Sequence, residues 1–239
     1  MSNIFKSQNL DKDFITFQEA LNKTNIQQHE ISGENKASLK RYHRLTYIIA
    51  LFENKLESKW KEENRFLFLN ELLSDLLANC SLSLIGFQYS SLIITRRLLE
   101  NFYNHIYYFE HPVEFELLNL GRNDYTSIVE LKKYYESHPF VKPLLDNNIK
   151  IFNDQVFAHY QELCKTVHSK GEDFMGLAKN IKEIKPEYNL VNHFTLINQS
   201  TQAIIYLLFK FHRDLKFTNM ETDLIAKTFT KPLRGSLLS

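Results

Sequence analysis

The stretch Gly86-Phe-Gln-Tyr-Ser-Ser-Leu-Ile-Ile-Thr-Arg-Arg-Leu-Leu-Glu-Asn-Phe-Tyr-Asn-His-Ile-Tyr-Tyr-Phe109 decides the fold. Leu92, Thr95, Leu99, Phe102, Ile106 and Phe109 recur at steps of three and four. That spacing puts them on one stripe of an amphipathic helix. Arg96, Glu100, Tyr103 and Tyr107 follow the edge of the same stripe. A charge at the edge of a core is costly unless it is paired, so this row requires partners or a task.

Working upstream, Phe66 to Ile85 is apolar on nearly every side, which predicts a helix in the middle of a bundle. Ala78, Ser81, Ser83 and Gly86 are small enough to let a neighbouring helix approach closely. Gly86 marks either a kink or a close contact. Leu39, Tyr42, Leu45, Ile49, Phe52 and Leu56 predict another helix, with Ser38 as its N-cap. Phe14, Phe17 and Leu21 predict a short first helix ending near Asn25.

Downstream, Pro112 ends the decisive helix, because the residue before proline avoids the helical region. Asp124 is the expected cap of a helix running through Tyr135. Asn153 or Asp154 starts a helix with Val156, Tyr160, Leu163 and Val167 on its core face, and Gly171 stops it. A short helix over 173–184, a long one over 187–216 and a last one over 220–229 complete the pattern. The predicted fold is all-α, a multi-helix bundle with long central antiparallel helices. Residues 1–37 form an N-terminal helix and polar loop, 38–230 a single helical-bundle domain, and 231–239 a flexible tail.

Composition agrees. Only six glycines and five prolines punctuate the chain, which suits long helices better than a turn-rich sheet. Nineteen phenylalanines and twelve tyrosines supply a large core. A net charge of +1 selects neither nucleic acid nor a membrane surface. Lys40, Arg41, His43 and Arg44, with Tyr42 and Tyr47 interleaved, form a small basic cluster of the kind that touches phosphates. The longest apolar candidate, Ala203 to Phe209, is about seven residues against roughly 20 for a bilayer span. With no apolar N-terminal run, a cytoplasmic protein without membrane contact is expected. Cys80 and Cys164 read as two buried thiols. Metal-ligand spacings of the Cys-x-x-Cys or His-Glu-x-x-His kind are absent, so neither metal nor cofactor is expected.

Arg96 and Glu100 are four residues apart and so can touch on a helix. Two readings stay open: a salt bridge that neutralises a helix edge, or a site where Arg96 holds a phosphate and Glu100 orients it. Tyr103, Tyr107 and Tyr160 are candidate substrate-binding groups, by hydroxyl or by stacking. His168 ends the Tyr160 helix. It either complements the helix C-terminus or serves as an acid–base group facing Arg96 and Glu100. At about 100° per residue His105 lies nearly opposite Arg96, so it reads as a surface or inter-helix hydrogen-bonding group. His212 reads as a charge complementing a helix C-terminus.

The order of features resembles the bacterial helical families allied to the HEPN superfamily. It runs from an apolar helix through Gly86 to Arg96-x-x-x-Glu100, and then to Tyr160-x-x-Leu163-Cys164-x-x-x-His168. The resemblance spans about residues 66–215. It implies a four- to six-helix bundle, often dimeric, that binds or cuts RNA, in some cases in bacterial phage defence. Active members pair an arginine with a histidine, four to six residues between them, across a dimer interface. Here seven residues separate Arg97 from His105, and one separates Arg41 from His43. A ribonuclease of this kind must therefore draw on two helices, with Arg96, Glu100 and His168 as its catalytic set. The alternative is a non-catalytic helical subunit or scaffold that binds a protein partner or its own copy.

Overall fold

A computed structural model describes residues 5, 7, 9–23, 31–60, 65–122, 126–144, 147–167 and 190–238. Among these, all regular structure is helical. The helices are α1 (Leu10–Lys23), α2 (Gly33–Trp60), α3 (Leu67–Leu84), α4 (Gln88–Glu110) and α5 (Pro112–Asn119). There follow α6 (Ile128–Ser137), a 3-10 turn at Lys142–Leu144, α7 (Asn147–Val167), α8 (Leu190–Phe211), α9 (Asn219–Ala226) and α10 (Lys231–Leu238). The all-α bundle expected from the sequence is the fold observed.

The connection from α3 to α4 is set by Gly86, whose φ of 88° lies in the left-handed region. There the Phe87 N–H donates to the Leu82 carbonyl at 2.8 Å and the Gly86 N–H to the Ser83 carbonyl at 3.3 Å. This pair of bonds satisfies the last carbonyls of α3 and turns the chain back on itself. The glycine is thus a helix terminator, and α3 and α4 form an antiparallel hairpin. Gly121, with φ 64°, ends α5 in the same way.

The centre of the bundle is α4, which packs against α3, α5, α6, α7 and α8. The apolarity of 66–85 points instead to α3, yet α3 leaves Leu67 and Leu77 exposed. The difference is physical. Helix α4 buries Thr95, Asn101, Asn104 and His105 alongside Leu98, Leu99, Phe102 and Ile106. Polar groups are tolerated in a core when they find hydrogen-bond partners, and most of these do. Helix α8 closes the other side with Ala203, Ile204, Ile205, Leu207 and Leu208, all without solvent contact.

Several boundaries differ from the sequence reading. Helix α2 starts at Gly33, ahead of Ser38. Helix α6 is capped by Ser127, whose hydroxyl accepts from the Glu130 N–H while the Glu130 carboxylate accepts from the Ser127 N–H. That reciprocal cap takes the place expected of Asp124, which lies outside the described residues. Helix α7 begins at Asn147, so Asn153 is a buried side chain inside it rather than its start. Residues Lys231–Leu238, expected as a flexible tail, form α10 and pack against α8 and α9. Gly171 and the helix expected over 173–184 lie outside the described residues. Among the described residues, no helix is long and apolar enough to cross a membrane.

Among the described residues four histidines are buried: His43, His105, His138 and His212. His43 is buried with its Nε2 2.8 Å from the Asp13 carboxylate, and it packs between Phe14 and Phe17. It therefore pins α1 to α2, and the small basic cluster around it loses its histidine to the interior. Lys40 of the same cluster pairs with Asp11 at 2.6 Å. His105 and His212 face each other across α4 and the end of α8, Nε2 to Nε2, at 2.8 Å. Both are buried, so His105 takes the inter-helix hydrogen-bonding role and not the surface one, and the charged reading of His212 is corrected. One ring donates and the other accepts, so the two cannot both be protonated.

Burial, reinforced by the neighbouring Lys59 and His138, pushes His212 down to about 3, and burial together with His212 pushes His105 well below its ordinary value. The unfolded chain takes up these protons near the ordinary histidine value of about 6.5 while the fold refuses them. Stability contributed by the pair is therefore complete above about pH 6.5 and is lost as pH falls toward 3. Urea denaturation at pH 7 and pH 5 is expected to show a smaller loss of stability for His212→Gln than for the wild type.

Candidate functional site

The hairpin of α3 and α4 is zipped by buried polar groups. The Asn79 Nδ2 donates to the Ser91 carbonyl at 2.8 Å and to the Thr95 hydroxyl at 2.7 Å, and the Ser91 hydroxyl donates to Asn79 Oδ1 at 3.1 Å. One turn further along, Asp75 has no solvent exposure. Its carboxylate accepts from Arg97 Nε at 2.8 Å, from Arg97 Nη2, and from Asn101 Nδ2 at 2.9 Å. Burial raises the Asp75 carboxyl above its usual value against the pull of Arg97 and Asn101. The Asp75 carboxylate in turn raises Arg97. The Arg97 side chain remains 50% exposed, so one end of this ion pair is solvated and the other is not.

Beside this pair opens a cleft of about 840 Å³. One wall is the face of α4 that carries Arg97, Glu100, Asn101 and Asn104. Steps of three and four residues keep these four on one side of the helix, over about 10 Å of its length. The other wall carries Leu67 and Phe68 from α3 and Phe115 and Leu118 from α5. Phe68 and Phe115 meet edge to face at 5.7 Å, and Tyr108 stacks behind Phe68 at 5.3 Å. The capped start of α6 and Tyr160 of α7 complete the rim. Asn104 is 6% exposed, and its Oδ1 has no donor among the described residues. An unpaired buried acceptor carries a desolvation cost of about 1–3 kcal/mol, so this amide is poised for a ligand N–H.

The residues singled out from the sequence fall into separate places. Arg96 and Glu100 do pair, at 2.7 Å. The Arg96 guanidinium also lies 5.4 Å from the centre of the Tyr160 ring, with Nη2 3.4 Å from its hydroxyl. Arg96 is thus a strut that holds Glu100 and Tyr160 at the cleft, and it does not line the cleft itself. Tyr103 is fully buried, and its hydroxyl donates to Asn153 Oδ1 at 2.7 Å. It tethers α4 to α7 in the core and is closed to any ligand in this structure. Tyr107 stacks on His111 at 4.1 Å and does not line the cleft. His168 lies outside the described residues. Cys80 is buried and Cys164 half-buried, and both thiols are free.

Arg97, Asn101, Asn104 and the Phe68–Phe115 wall were not singled out by sequence reasoning. A signal for them existed. Asp75 is the lone acid amid the leucines Leu72, Leu73, Leu76 and Leu77, and a charge in such a run implies a buried partner. Arg97, Asn101 and Asn104 also repeat at helical spacing. Among the described residues, no cluster of histidine, cysteine or acidic groups could hold a metal ion. No family model, curated protein or solved structure matches the chain. The chemistry of the cleft therefore carries the functional reading.

Arg97→Met is expected to cost about 2 kcal/mol in urea denaturation at pH 7, because it leaves the Asp75 carboxylate buried with Asn101 alone. The double change Asp75→Leu with Arg97→Met is expected to recover most of that loss. An unrecovered loss would show that the ion pair does more than neutralise a buried charge.

Proposed function

We propose that this chain is a helical effector that binds RNA or a nucleotide in the cleft beside α4. One observation carries the reading: an aromatic wall faces an amide and charged wall that holds a nearly buried acceptor without a donor. A nucleobase is flat and apolar on its faces and hydrogen-bonding at its edge. It is recognised by stacking on aromatic rings and by polar groups at that edge. Phe68 and Phe115 supply the first, and Asn104, with Asn101 beside it, the second. Arg97 replaces Arg96 as the guanidinium that meets the ligand, and Glu100 and Tyr160 keep their places. The resemblance to HEPN-allied families points to the same ligand class and, beyond it, to a defence role and a ribonuclease activity. His168, which follows α7 in the sequence, is the acid–base candidate for such cleavage.

The test is incubation of the full chain with labelled total RNA and tRNA, beside Asn104→Ala, Phe68→Ala and His168→Ala, with circular dichroism on each protein. Asn104→Ala is expected to weaken retention about tenfold in a folded protein. His168→Ala is expected to abolish cutting and leave binding intact. Equal retention by the wild type and both cleft variants would reject the cleft as the site.

A second reading, a subunit that binds itself or a partner protein, is favoured by the exposed Leu77, Phe87, Tyr89 and Ile93 on the outer side of the α3–α4 hairpin. Sedimentation of Ile93→Asp against the wild type separates a self-associating surface from an inert one.

A further inference from the structure

Resting on the reading that the cleft binds RNA or a nucleotide, we propose that it recognises the ribonucleoside unit, base and sugar hydroxyls together, and leaves the phosphates outside. The charges around the cleft favour this division. Arg97 is neutralised by Asp75, and Arg96 by Glu100. Glu71 lines the same cleft and has no ion pair of its own among the described residues, so the lining is left with an excess of negative charge. A phosphate placed against Glu71 and Glu100 would meet like charge. A sugar hydroxyl placed there would donate to a carboxylate, forming a charge-assisted hydrogen bond.

Glu100 is suited to that role. Its Oε1 takes Arg96 at 2.7 Å, and a carboxylate has room for about four hydrogen bonds, so acceptor positions remain for a hydroxyl. Arg96 also restricts the carboxylate's freedom, which lowers the entropy lost on binding. At the far end of the row, Asn104 is three residues beyond Asn101 on the same face, and its unpaired Oδ1 needs the N–H that a base edge provides. The polar row from Arg97 to Asn104 spans about 10 Å, the length of one nucleoside. Recognition through the 2′-hydroxyl distinguishes RNA from DNA at a single residue.

The experiment is isothermal titration of the full chain with adenosine, guanosine, cytidine and uridine, their 2′-deoxy forms, their 5′-monophosphates, and tRNA. The expected result has three parts. At least one ribonucleoside binds, its 2′-deoxy form binds about tenfold more weakly, and its 5′-monophosphate binds no more tightly than the nucleoside. Asn104→Ala weakens the nucleoside about tenfold, and Glu71→Gln, a change at an exposed position, raises the affinity of the monophosphate. Equal binding of ribose and deoxyribose forms overturns this inference and leaves the RNA or nucleotide reading standing. So does tighter binding of the monophosphate, or binding of tRNA with none of the nucleosides. Failure of every nucleoside, nucleotide and RNA to bind overturns both.

Discussion

The Asp75 carboxylate is removed from solvent between α3 and α4, and the rest of the molecule is arranged around keeping it paired. Arg97 and Asn101 reach it from the neighbouring helix, and their positions fix the register of the hairpin. A slip of one residue between the helices would leave a buried charge without its donors, at a cost of several kcal/mol. The Asn79, Ser91 and Thr95 bonds hold the same register nearer the turn. Because α4 packs against α3, α5, α6, α7 and α8, fixing it against α3 positions the core of the bundle as well. The same bonds aim the α4 face at the cleft. Arg97 is held by its hydrogen bonds to Asp75, and Asn101 by its own amide, so the polar wall is preorganised before any ligand arrives.

This arrangement explains why the centre of the bundle is unusually polar. Helix α4 carries buried threonine, asparagine and histidine side chains that an apolar core would exclude. Each is accommodated by a different partner: Thr95 by Asn79, Asn101 by Asp75, and His105 by His212. Tyr103 reaches Asn153 on α7, which in turn donates to Glu136 on α6. Such bonds add little net stability individually, but each is expensive to break once buried. They select one packing of α4 over its alternatives. Asn104 Oδ1 and His105 Nδ1 stand out against this background, since neither has a partner among the described residues, and of the two residues Asn104 lines the cleft.

Much of this was legible in the sequence. The three- and four-residue spacing of Leu92, Thr95, Leu99, Phe102, Ile106 and Phe109 gives α4, and the scarcity of glycine and proline gives the fold class. The Arg96–Glu100 pair was legible as well, because i and i+4 side chains meet on any helix. The cleft was not. Its walls come from α3, α4, α5, α6 and α7, and no local spacing records which face of one helix meets another. Tyr103 and Tyr107 show the same limit. They follow Arg96 and Glu100 along the row, yet one is sealed in the core by α7 and the other stacks on His111.

By itself the sequence determined that the chain is helical, where α4 begins and ends, and that charged groups lie along it. Those properties follow from backbone geometry and from the cost of exposing apolar surface, both of which act locally. Tertiary structure decided which helix is central, which arginine opens to solvent, and which histidines are neutral. Burial and the identity of a partner distant in sequence set each of these, as when Asp75 claims Arg97 from α3 and Tyr160 claims Arg96 from α7.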